Sequence, residues 1–286
     1  MEKKEIGVLT GSIGSISEDL SKKYNITVIP YYLNLKDKSL KDGVDISSEE
    51  YYSYFENLPE LPTTASPNIS DIKRTIEEIA KNYKQIIFLC ASDKYTKTYG
   101  YAVKAIQSLK NIKVYLIDTK AAIGKQGLMA IETAKLIKSG ETIENIAKKI
   151  KEWKFKMREV ICLDTLKNLY KGGRIGKLQY LLGNVLSIKT LIRFDNEGMH
   201  ELIGIVRTHQ QTLNFTIKRI RKILAGYKTN KLDIFIEDAI NRNWSNKLKE
   251  IIQKEFNCRE IYQTTMSPVT GTHAGPKSWA ITILPL

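Results

Sequence analysis

The first half of the chain alternates short apolar runs with amphipathic stretches, and this alternation constrains the fold more than any other feature. Ile6–Leu9, Gln85–Cys90 and Lys113–Ile117 are predicted strands, and longer helical patterns separate them. The run Gln85–Cys90 is typical of a strand that is buried on both faces of a parallel sheet. Strands that alternate with helices connect through right-handed crossovers. The pattern therefore predicts an α/β domain with a mostly parallel sheet and helices on both faces.

Helix start signals agree with this prediction. Ser17 is a suitable N-cap, and Ser47-Ser-Glu-Glu50 fits the capping pattern of a helix start. Ile26–Leu35 is predicted as one further strand. The predicted helices of the first half are Ser17–Lys23, Ser47–Asn57, Ile69–Asn82, Thr98–Leu109, Gly124–Lys138 and Thr142–Trp153.

The second half has a different pattern. Ile188–Phe194 and Met199–Ile205 flank the turn sequence Asp195–Gly198, which predicts a β-hairpin. The chain of 286 residues has the length of about two domains. We predict an N-terminal α/β domain over residues 1–155 and a C-terminal α+β domain with a mixed sheet over residues 156–286. Its other predicted elements are strands Val160–Leu163, Lys231–Glu237, Arg259–Thr264 and Trp279–Pro285, and helices Asp164–Tyr170, Leu178–Gly183, Thr208–Gly226 and Asn246–Phe256.

The chain is strongly basic, with a formal net charge of +14. Such a surface suits nucleic acid, an anionic membrane or an acidic partner. The lysines are spread along the chain, and no zinc-finger spacing or aromatic RNA-binding motif accompanies them. We therefore expect no nucleic-acid binding, whereas transient contact with an anionic membrane surface stays open. The sequence also has no 18-residue apolar run and no signal-peptide core, and its three cysteines are far apart, so we expect a cytoplasmic protein.

Loops that are rich in hydroxyl groups, glycine or proline recur where predicted strands end and helices begin. In open α/β sheets, ligands bind outside the carboxyl ends of the strands. Helix N-termini at that edge offer free N–H groups to an anion, and hydroxyl groups add neutral hydrogen bonds. The recurrence predicts a site for an anionic ligand. The four loops are Thr10–Ser15, Pro62–Pro67, Ala91–Thr98 and Gly271–Pro276.

Three histidines are the main candidates for chemistry. His273 lies between two glycines and a proline, which predicts a shaped loop with a binding role, whereas His200 and His209 are predicted as surface residues. No metal-ligand spacing, nucleophile elbow or phosphate-binding loop occurs. We therefore expect no metal, no cofactor and no catalytic residue.

The segment Lys171-Gly-Gly-Arg174 predicts a helix end. Two glycines suit a C-terminal cap, which leaves Arg174 projecting from the turn. Arg174 is then either a solvated side chain or one that is held out for a partner or a phosphate group.

Several motifs together resemble the DegV family of bacterial fatty-acid-binding proteins, and the resemblance runs nearly end to end. The segment from Leu163-Asp-Thr-Leu166 through Lys171-Gly-Gly-Arg-Ile175 is the most specific match. The other matching segments are Asp42-Gly-Val-Asp45-Ile-Ser, Pro62-Thr-Thr-Ala-Ser-Pro67, Thr98-Tyr99, Ser187-Ile-Lys189, Val206-Arg207-Thr208 and Gly271-Thr-His273-Ala-Gly-Pro276.

The resemblance implies a specific function. It implies two α/β domains that enclose a long-chain fatty acid in a buried tunnel, with the carboxylate held by Thr64, Ser92, Arg207 and His273. It also implies that a separate kinase catalytic subunit phosphorylates the bound acyl group, and that Arg174 belongs to the surface on which this kinase docks. The chain itself would then be a non-catalytic subunit. The alternative is a phosphotransferase-like enzyme, related to dihydroxyacetone kinase, that uses His273 covalently.

One departure from the family pattern bears on the ligand. Asp93 stands where the family has a serine. Two like charges about 4 Å apart repel by roughly 4 kcal/mol at an effective dielectric constant near 20. We therefore predict that Asp93 turns away from the carboxylate and either caps the following helix or pairs with Lys97.

Overall fold

The computed structural model describes residues 4–181 and 188–286. Within these residues the chain forms thirteen strands and ten helices. The strands are β1 (Lys4–Gly11), β2 (Ile26–Ile29), β3 (Tyr32–Leu35), β4 (Lys38–Lys41), β5 (Thr63–Ala65), β6 (Tyr83–Cys90), β7 (Lys113–Asp118), β8 (Arg158–Leu163), β9 (Lys189–Phe194), β10 (His200–Val206), β11 (Lys231–Asp238), β12 (Asn257–Thr265) and β13 (Trp279–Pro285).

The helices are α1 (Glu18–Tyr24), α2 (Ser48–Tyr54), α3 (Ile69–Ala80), α4 (Thr98–Gln107), α5 (Ile123–Lys138), α6 (Ile143–Lys156), α7 (Lys167–Lys171), α8 (His209–Leu224), α9 (Arg242–Glu255) and α10 (Pro268–Ala274). Short 3-10 segments cover Ser12–Gly14, Phe55–Asn57 and Gly176–Leu181. The predicted N-caps hold, because the side chains of Ser17 and Ser47 accept hydrogen bonds from the third residue along.

Two main sheets organise the molecule. The first has the order β2-β1-β6-β7, and all its strands are parallel. The second has the order β10-β9-β8-β13-β11-β12, in which only β11 and β12 run parallel. The predicted fold class, a parallel N-terminal sheet followed by a mixed C-terminal sheet, is confirmed. The chain passes from one sheet to the other between α6 and β8, and the boundary at residues 155 and 156 stays a prediction.

A third, small sheet corrects one predicted element. The expected single strand Ile26–Leu35 is two strands: β2 belongs to the parallel sheet and β3 to an antiparallel sheet of order β4-β3-β5. Pro30 lies between them. Since proline has no N–H to donate to a ladder, it interrupts the strand.

Helix α5 lies between the two main sheets and joins them into one layered core. Twelve consecutive residues of it, Ile123–Ala134, are buried, so the helix has no solvent face along this stretch. Its apolar side chains pack with Val8 and Leu89 of the parallel sheet and with Phe235 of the mixed sheet. Helices α3 and α4 cover the far face of the first sheet, and α8 and α9 cover the far face of the second.

The structure corrects one further predicted loop, and two other predictions extend beyond the residues that it describes. The predicted loop Gly271–Pro276 is largely helical, because α10 starts at Ser267 as N-cap with Pro268 in its first turn and runs to Ala274. The predicted helix Leu178–Gly183 and the Ser187-Ile-Lys189 motif extend into residues outside the described part of the chain. Among the helices of residues 4–181 and 188–286, none has both the length and the apolar character that a bilayer crossing requires.

Candidate functional site

A set of adjoining cavities lies between the parallel sheet, the small sheet and the mixed sheet. A central chamber is shared by both halves of the chain, and its walls include Thr64 on β5, Arg174 after α7 and His273 on α10. These three residues also line an outer cleft of about 310 Å³ that includes Lys171 and Glu60. The remaining walls of the central chamber are Ile13, Tyr31, Ala65, Ser66, Tyr95, Thr96, Ala122, Ile123, Val269 and Thr270.

The polar part of the central chamber is a contact between residues far apart in sequence. The Thr64 hydroxyl oxygen lies 2.7 Å from Nε2 of His273, within hydrogen-bond distance. Thr64 is placed by the pairing of β5 with β3, and His273 by the last turn of α10. The structure thus brings together two of the four residues predicted to bind the head group.

The His273 ring is held neutral. Burial, followed by the positive charge of Arg174, lowers the pKa of His273 to about 3. Gly172 packs against the ring, and a Cβ atom at residue 172 would fall well inside contact distance of Nδ1. Glycine at position 172 therefore makes room for His273, which is a stronger reason for it than the helix cap that the sequence suggests.

Arg174 supplies the positive charge of the chamber. Its guanidinium donates to the carbonyl oxygen of Gly172 at 2.8 Å, and the residue lines both the central chamber and the outer cleft. Gly173, with φ of +69°, gives the turn that a residue with a side chain rarely adopts. The predicted projection of Arg174 after two glycines is therefore present, but it projects along the chamber as well as toward the outside.

The other two predicted head-group residues lie elsewhere. Ser92 is fully buried, and its hydroxyl donates to the carbonyl oxygen of Gly198 at 2.9 Å, so it joins the Ala91–Thr98 loop to the β9–β10 turn. Arg207 is exposed and precedes the capping box of α8, where its backbone N–H donates to the Gln211 side chain at 2.8 Å. Neither residue lines the chamber, which takes its cation from Arg174.

The hydroxyl groups of the Thr10–Ser15 loop are also used within the protein. Thr10 donates to the Leu89 carbonyl oxygen at 3.0 Å, and Ser12 donates to the Asp42 carboxylate at 2.8 Å. Burial raises the pKa of Asp42 to about 6, and the hydrogen bond from Ser12 opposes this rise. These hydroxyl groups hold the strand ends in place, and only Ile13 of the loop lines the chamber.

Asp93 turns away from the chamber, as predicted, but its partner differs. Its carboxylate lies 3.0 Å from the ammonium nitrogen of Lys120, which also contacts Asp118 at 2.7 Å. Asp93 therefore neither caps α4 nor pairs with Lys97, which were the two predicted alternatives. The acid is exposed and is neutralised on the surface, so it adds no negative charge beside Thr64 and His273.

A second, apolar chamber continues from the central one. The two share Tyr95, Ile123 and Thr270 as walls, so they adjoin each other. Each has a cavity volume of about 30 Å³. The further walls of the apolar chamber are Ile161, Leu163, Leu169, Ile192, Phe194, His200, Met266 and Ala274.

His200 corrects the prediction of a surface histidine. It is 6% exposed and packs between the rings of Tyr95 and Phe194, at centroid distances of 5.0 and 4.8 Å. The hairpin could have shown this, because His200 pairs directly with Phe194 and cross-strand partners share a face of the sheet. His209, by contrast, is exposed at the start of α8 as predicted.

Chemically, the cavities combine a polar end with an apolar interior. A hydroxyl, a neutral imidazole and a guanidinium at one end suit a carboxylate, which accepts hydrogen bonds and carries one negative charge. The tyrosine, isoleucine and leucine walls beyond suit a hydrocarbon chain. Sequence motifs identified Thr64 and His273, whereas the position of Arg174 depends on packing between segments far apart in sequence.

Comparison with known proteins identifies the family. A family model described as "Uncharacterised protein, DegV family" matches residues 5–286. The chain belongs to the DegV family. Among curated DegV relatives, a DegV domain-containing protein of Clostridium acetobutylicum is 29% identical over 275 residues, which is 96% of each chain. Protein DegV of Bacillus subtilis is 28% identical over 273 residues, 94% of this chain and 95% of that protein.

Solved structures of DegV proteins share the fold over almost the full length. A DegV family protein of Thermus thermophilus superposes with a TM-score of 0.91 at 23% identity and covers 99% of this chain and 100% of its own. A DegV lipid-binding protein of Thermotoga maritima gives a TM-score of 0.87 at 26% identity, with 99% of each chain covered. A second Thermotoga maritima protein, whose structure revealed fatty acid binding, gives 0.87 at 25% identity and covers 99% of this chain and 100% of that one.

Proposed function

We propose that the chain binds a long-chain fatty acid, with the carboxylate at Thr64, His273 and Arg174 and the hydrocarbon chain in the apolar chamber. The observation that carries the proposal is the hydrogen-bonded pair Thr64–His273 beside Arg174, at the polar end of two adjoining chambers with otherwise largely apolar walls. The fatty acid and lipid binding named for the two Thermotoga maritima relatives supports it.

The hydrocarbon tail supplies most of the binding energy in this proposal. About 15 methylene groups at roughly 0.8 kcal/mol each give a gross transfer free energy of ~12 kcal/mol, from which association removes several kcal/mol. A neutral hydrogen bond adds about 1 kcal/mol and a charge-assisted one about 1.5–3 kcal/mol. The polar end therefore fixes the position of the carboxylate. Because the chambers are small, the tail enters only as wall side chains such as Tyr95 move aside.

Mass spectrometry of lipid extracted from the purified protein, followed by titration of the delipidated protein with octadecanoic acid, tests the proposal. Thr64→Val removes the hydroxyl with little change in volume and should weaken binding about fivefold. Thr63→Val is the matched control, since Thr63 lines the outer cleft but not the central chamber. Absence of fatty acid in the extract, together with no saturable binding, would refute the proposal.

We also propose that the bound carboxylate is presented to a separate kinase, as the family resemblance implies. The segment over residues 167–181, which borders the outer cleft, contains Lys167, Lys171, Arg174 and Lys177 and no acidic residue. Such a surface complements an acidic partner. Transient contact with an anionic membrane, which would use the same complementarity, remains a prediction.

Phosphorylation of the bound acid by a fatty acid kinase catalytic subunit tests this second proposal. Lys177→Ala lies outside the chamber walls and should leave affinity for the acid unchanged while it lowers the phosphorylation rate. Arg174→Ala should lower both quantities, because Arg174 lines the chamber. A kinase that tolerates both substitutions at saturating acid would contradict the docking proposal without affecting the binding proposal.

In this account the chain is a carrier without catalytic activity of its own, and the histidine phosphotransferase is the alternative. In His273, Nε2 is within hydrogen-bond distance of Thr64 and Nδ1 is packed against Gly172, so neither nitrogen is free for a covalent substituent. Incubation with a phosphoryl donor and intact-mass measurement distinguishes the two. A phosphorylated or substituted chain that is lost in His273→Asn would favour the alternative.

A further inference from the structure

His200 is a polar group within the apolar chamber that the binding of a plain fatty acid does not use. It lies at the start of β10, and its ring is one wall of a chamber whose other walls are mostly apolar. A buried imidazole in such surroundings costs free energy unless its polar atoms find partners. A ligand group that pairs with the ring would remove this cost.

The hydrogen bonding of the ring defines what it offers. Nδ1 lies 3.3 Å from the carbonyl oxygen of Arg174. Because a carbonyl only accepts, Nδ1 must carry the proton and donate, which leaves Nε2 with a lone pair. Burial lowers the pKa of His200 to about 4, so the ring is neutral at pH 7 and Nε2 is an acceptor. Across residues 4–181 and 188–286, no donor lies within hydrogen-bond distance of Nε2.

The other polar walls of the chamber differ from His200. The Thr270 hydroxyl is already used, since it donates to the Ile13 carbonyl oxygen at 3.3 Å and accepts from Ser267 at 3.1 Å. Burial raises the pKa of Tyr95 to about 12, so its phenol stays protonated. Tyr95 stands between the two chambers, whereas His200 lines only the apolar one. His200 is thus the acceptor that a donor on the distal part of an acyl chain would meet.

We propose that His200 is a specificity-determining residue, and that it adapts the apolar chamber to acyl chains that carry a hydroxyl group. This inference rests on the proposed function, because it assigns the inner part of the same cavity. A chain hydroxyl that donates to Nε2 would be buried with a partner. The same hydroxyl at any other depth would be buried without one and would weaken binding.

A series of ligands with the hydroxyl at different depths tests the proposal. Octadecanoic acid and its 3-, 10- and 12-hydroxy derivatives are titrated into the delipidated protein, and the ratio of Kd for each hydroxy acid to Kd for the plain acid is measured. In the wild-type chain one distal position should give a ratio near one, while the other positions give about ten. His200→Phe should raise the ratio at the favoured position to about ten.

Two matched variants isolate the acceptor. Tyr95→Phe removes the neighbouring phenol and should leave the ratios unchanged, whereas His200→Gln keeps an acceptor oxygen and should preserve part of the preference. His200→Gln also serves as the test of the acceptor if His200→Phe does not fold. Equal ratios at every position in the wild-type chain, or a preference that Tyr95→Phe abolishes and His200→Phe does not, would overturn the proposal. Failure of every variant to bind plain octadecanoic acid would instead refute the proposed function.

Discussion

Two regions of the same interior adjoin at the start of α5, and they differ in how closely their atoms pack. Around Gly124 and Gly127 the helix packs directly on Phe235 of the mixed sheet and on the backbone of Gly14. In this region Lys125 pairs with Glu159 at 3.6 Å, and the Gly124 N–H donates to Glu237 at 2.5 Å. Around the chambers, by contrast, open space remains beside the rings of His200 and His273. Tight packing joins the halves, and the open space leaves capacity for a ligand.

The largest expected effect is on the free energy of unfolding, and it comes from a substitution in the tightly packed region. Gly127→Ala places a Cβ atom inside contact distance of the Gly14 carbonyl oxygen, which is backbone and has little freedom to move. We expect a loss of about 3 kcal/mol in the free energy of unfolding. Urea denaturation measures this loss. Gly100→Ala is the control, because nothing lies near that helical position and alanine should stabilise it by about 0.5–1 kcal/mol. Equal stability in the two variants would show that α5 is not packed this closely.

The next largest effect is on the pH dependence of stability, and it comes from the buried carboxyl group of Glu237 in the same region. Burial raises the pKa of Glu237 to about 7, while hydrogen bonds from Ser15 and the Gly124 N–H oppose the rise. Above pH 7 the ionised side chain therefore costs stability, and this cost disappears as the pH falls through 7 toward the unfolded-state value near 4.5. Glu237→Gln should raise the free energy of unfolding at pH 8 by about 2 kcal/mol and by much less at pH 5. A gain that does not depend on pH would contradict the assignment.

The chamber is altered more selectively through Gly172. A side chain at this position collides with the His273 ring, so Gly172→Ala should displace the ring and weaken fatty acid binding roughly tenfold, about 1.4 kcal/mol. Gly173→Ala is the matched variant one residue along, where the cost arises from φ of +69° and not from a contact. It should lower thermal stability with affinity largely unchanged. Identical binding losses in the two variants would show that the turn matters and the ring does not.

The smallest effect concerns Asp93. Because its carboxylate pairs with Lys120 at the surface, Asp93→Ser should change the affinity for octadecanoic acid at neutral pH by less than about twofold, under 0.5 kcal/mol. Isothermal titration of both proteins measures this. A gain of two orders of magnitude would mean that the carboxylate faces the ligand, and that the chamber is suited to a head group other than a carboxylate.

Most of the fold follows from local sequence patterns, because strand and helix periodicities are local properties. The strands of both main sheets and the β9–β10 hairpin were predicted from such patterns. The predicted strand over residues 26–35 failed at Pro30, where one unbroken apolar pattern serves two different sheets. Helix α10 was missed because Gly271 suggests a loop, yet a side chain at Gly271 would collide with the Tyr52 hydroxyl, and that contact is tertiary.

Site residues could be predicted from the sequence only where they lie in recognisable motifs. Thr64 and His273 lie in recognisable segments, and the structure brings them together. Arg207 lies in an equally recognisable segment but is exposed, because it belongs to the start of α8. The choice between Arg174 and Arg207 depends on how α7 packs against α10, and no local pattern contains that information.

The order of the strands in the mixed sheet has a consequence for biosynthesis. Strand β13 is translated after the other strands, yet it lies in the interior of the sheet, between β8 and β11. Helix α10, which carries His273, immediately precedes it in the chain. Until β13 has been synthesised, β8 and β11 lack the strand that lies between them in the sheet. The contact between Thr64 and His273 closes a loop of 209 residues. The parallel sheet can fold while synthesis continues, but the ligand site can form only after α10 and β13 have left the ribosome.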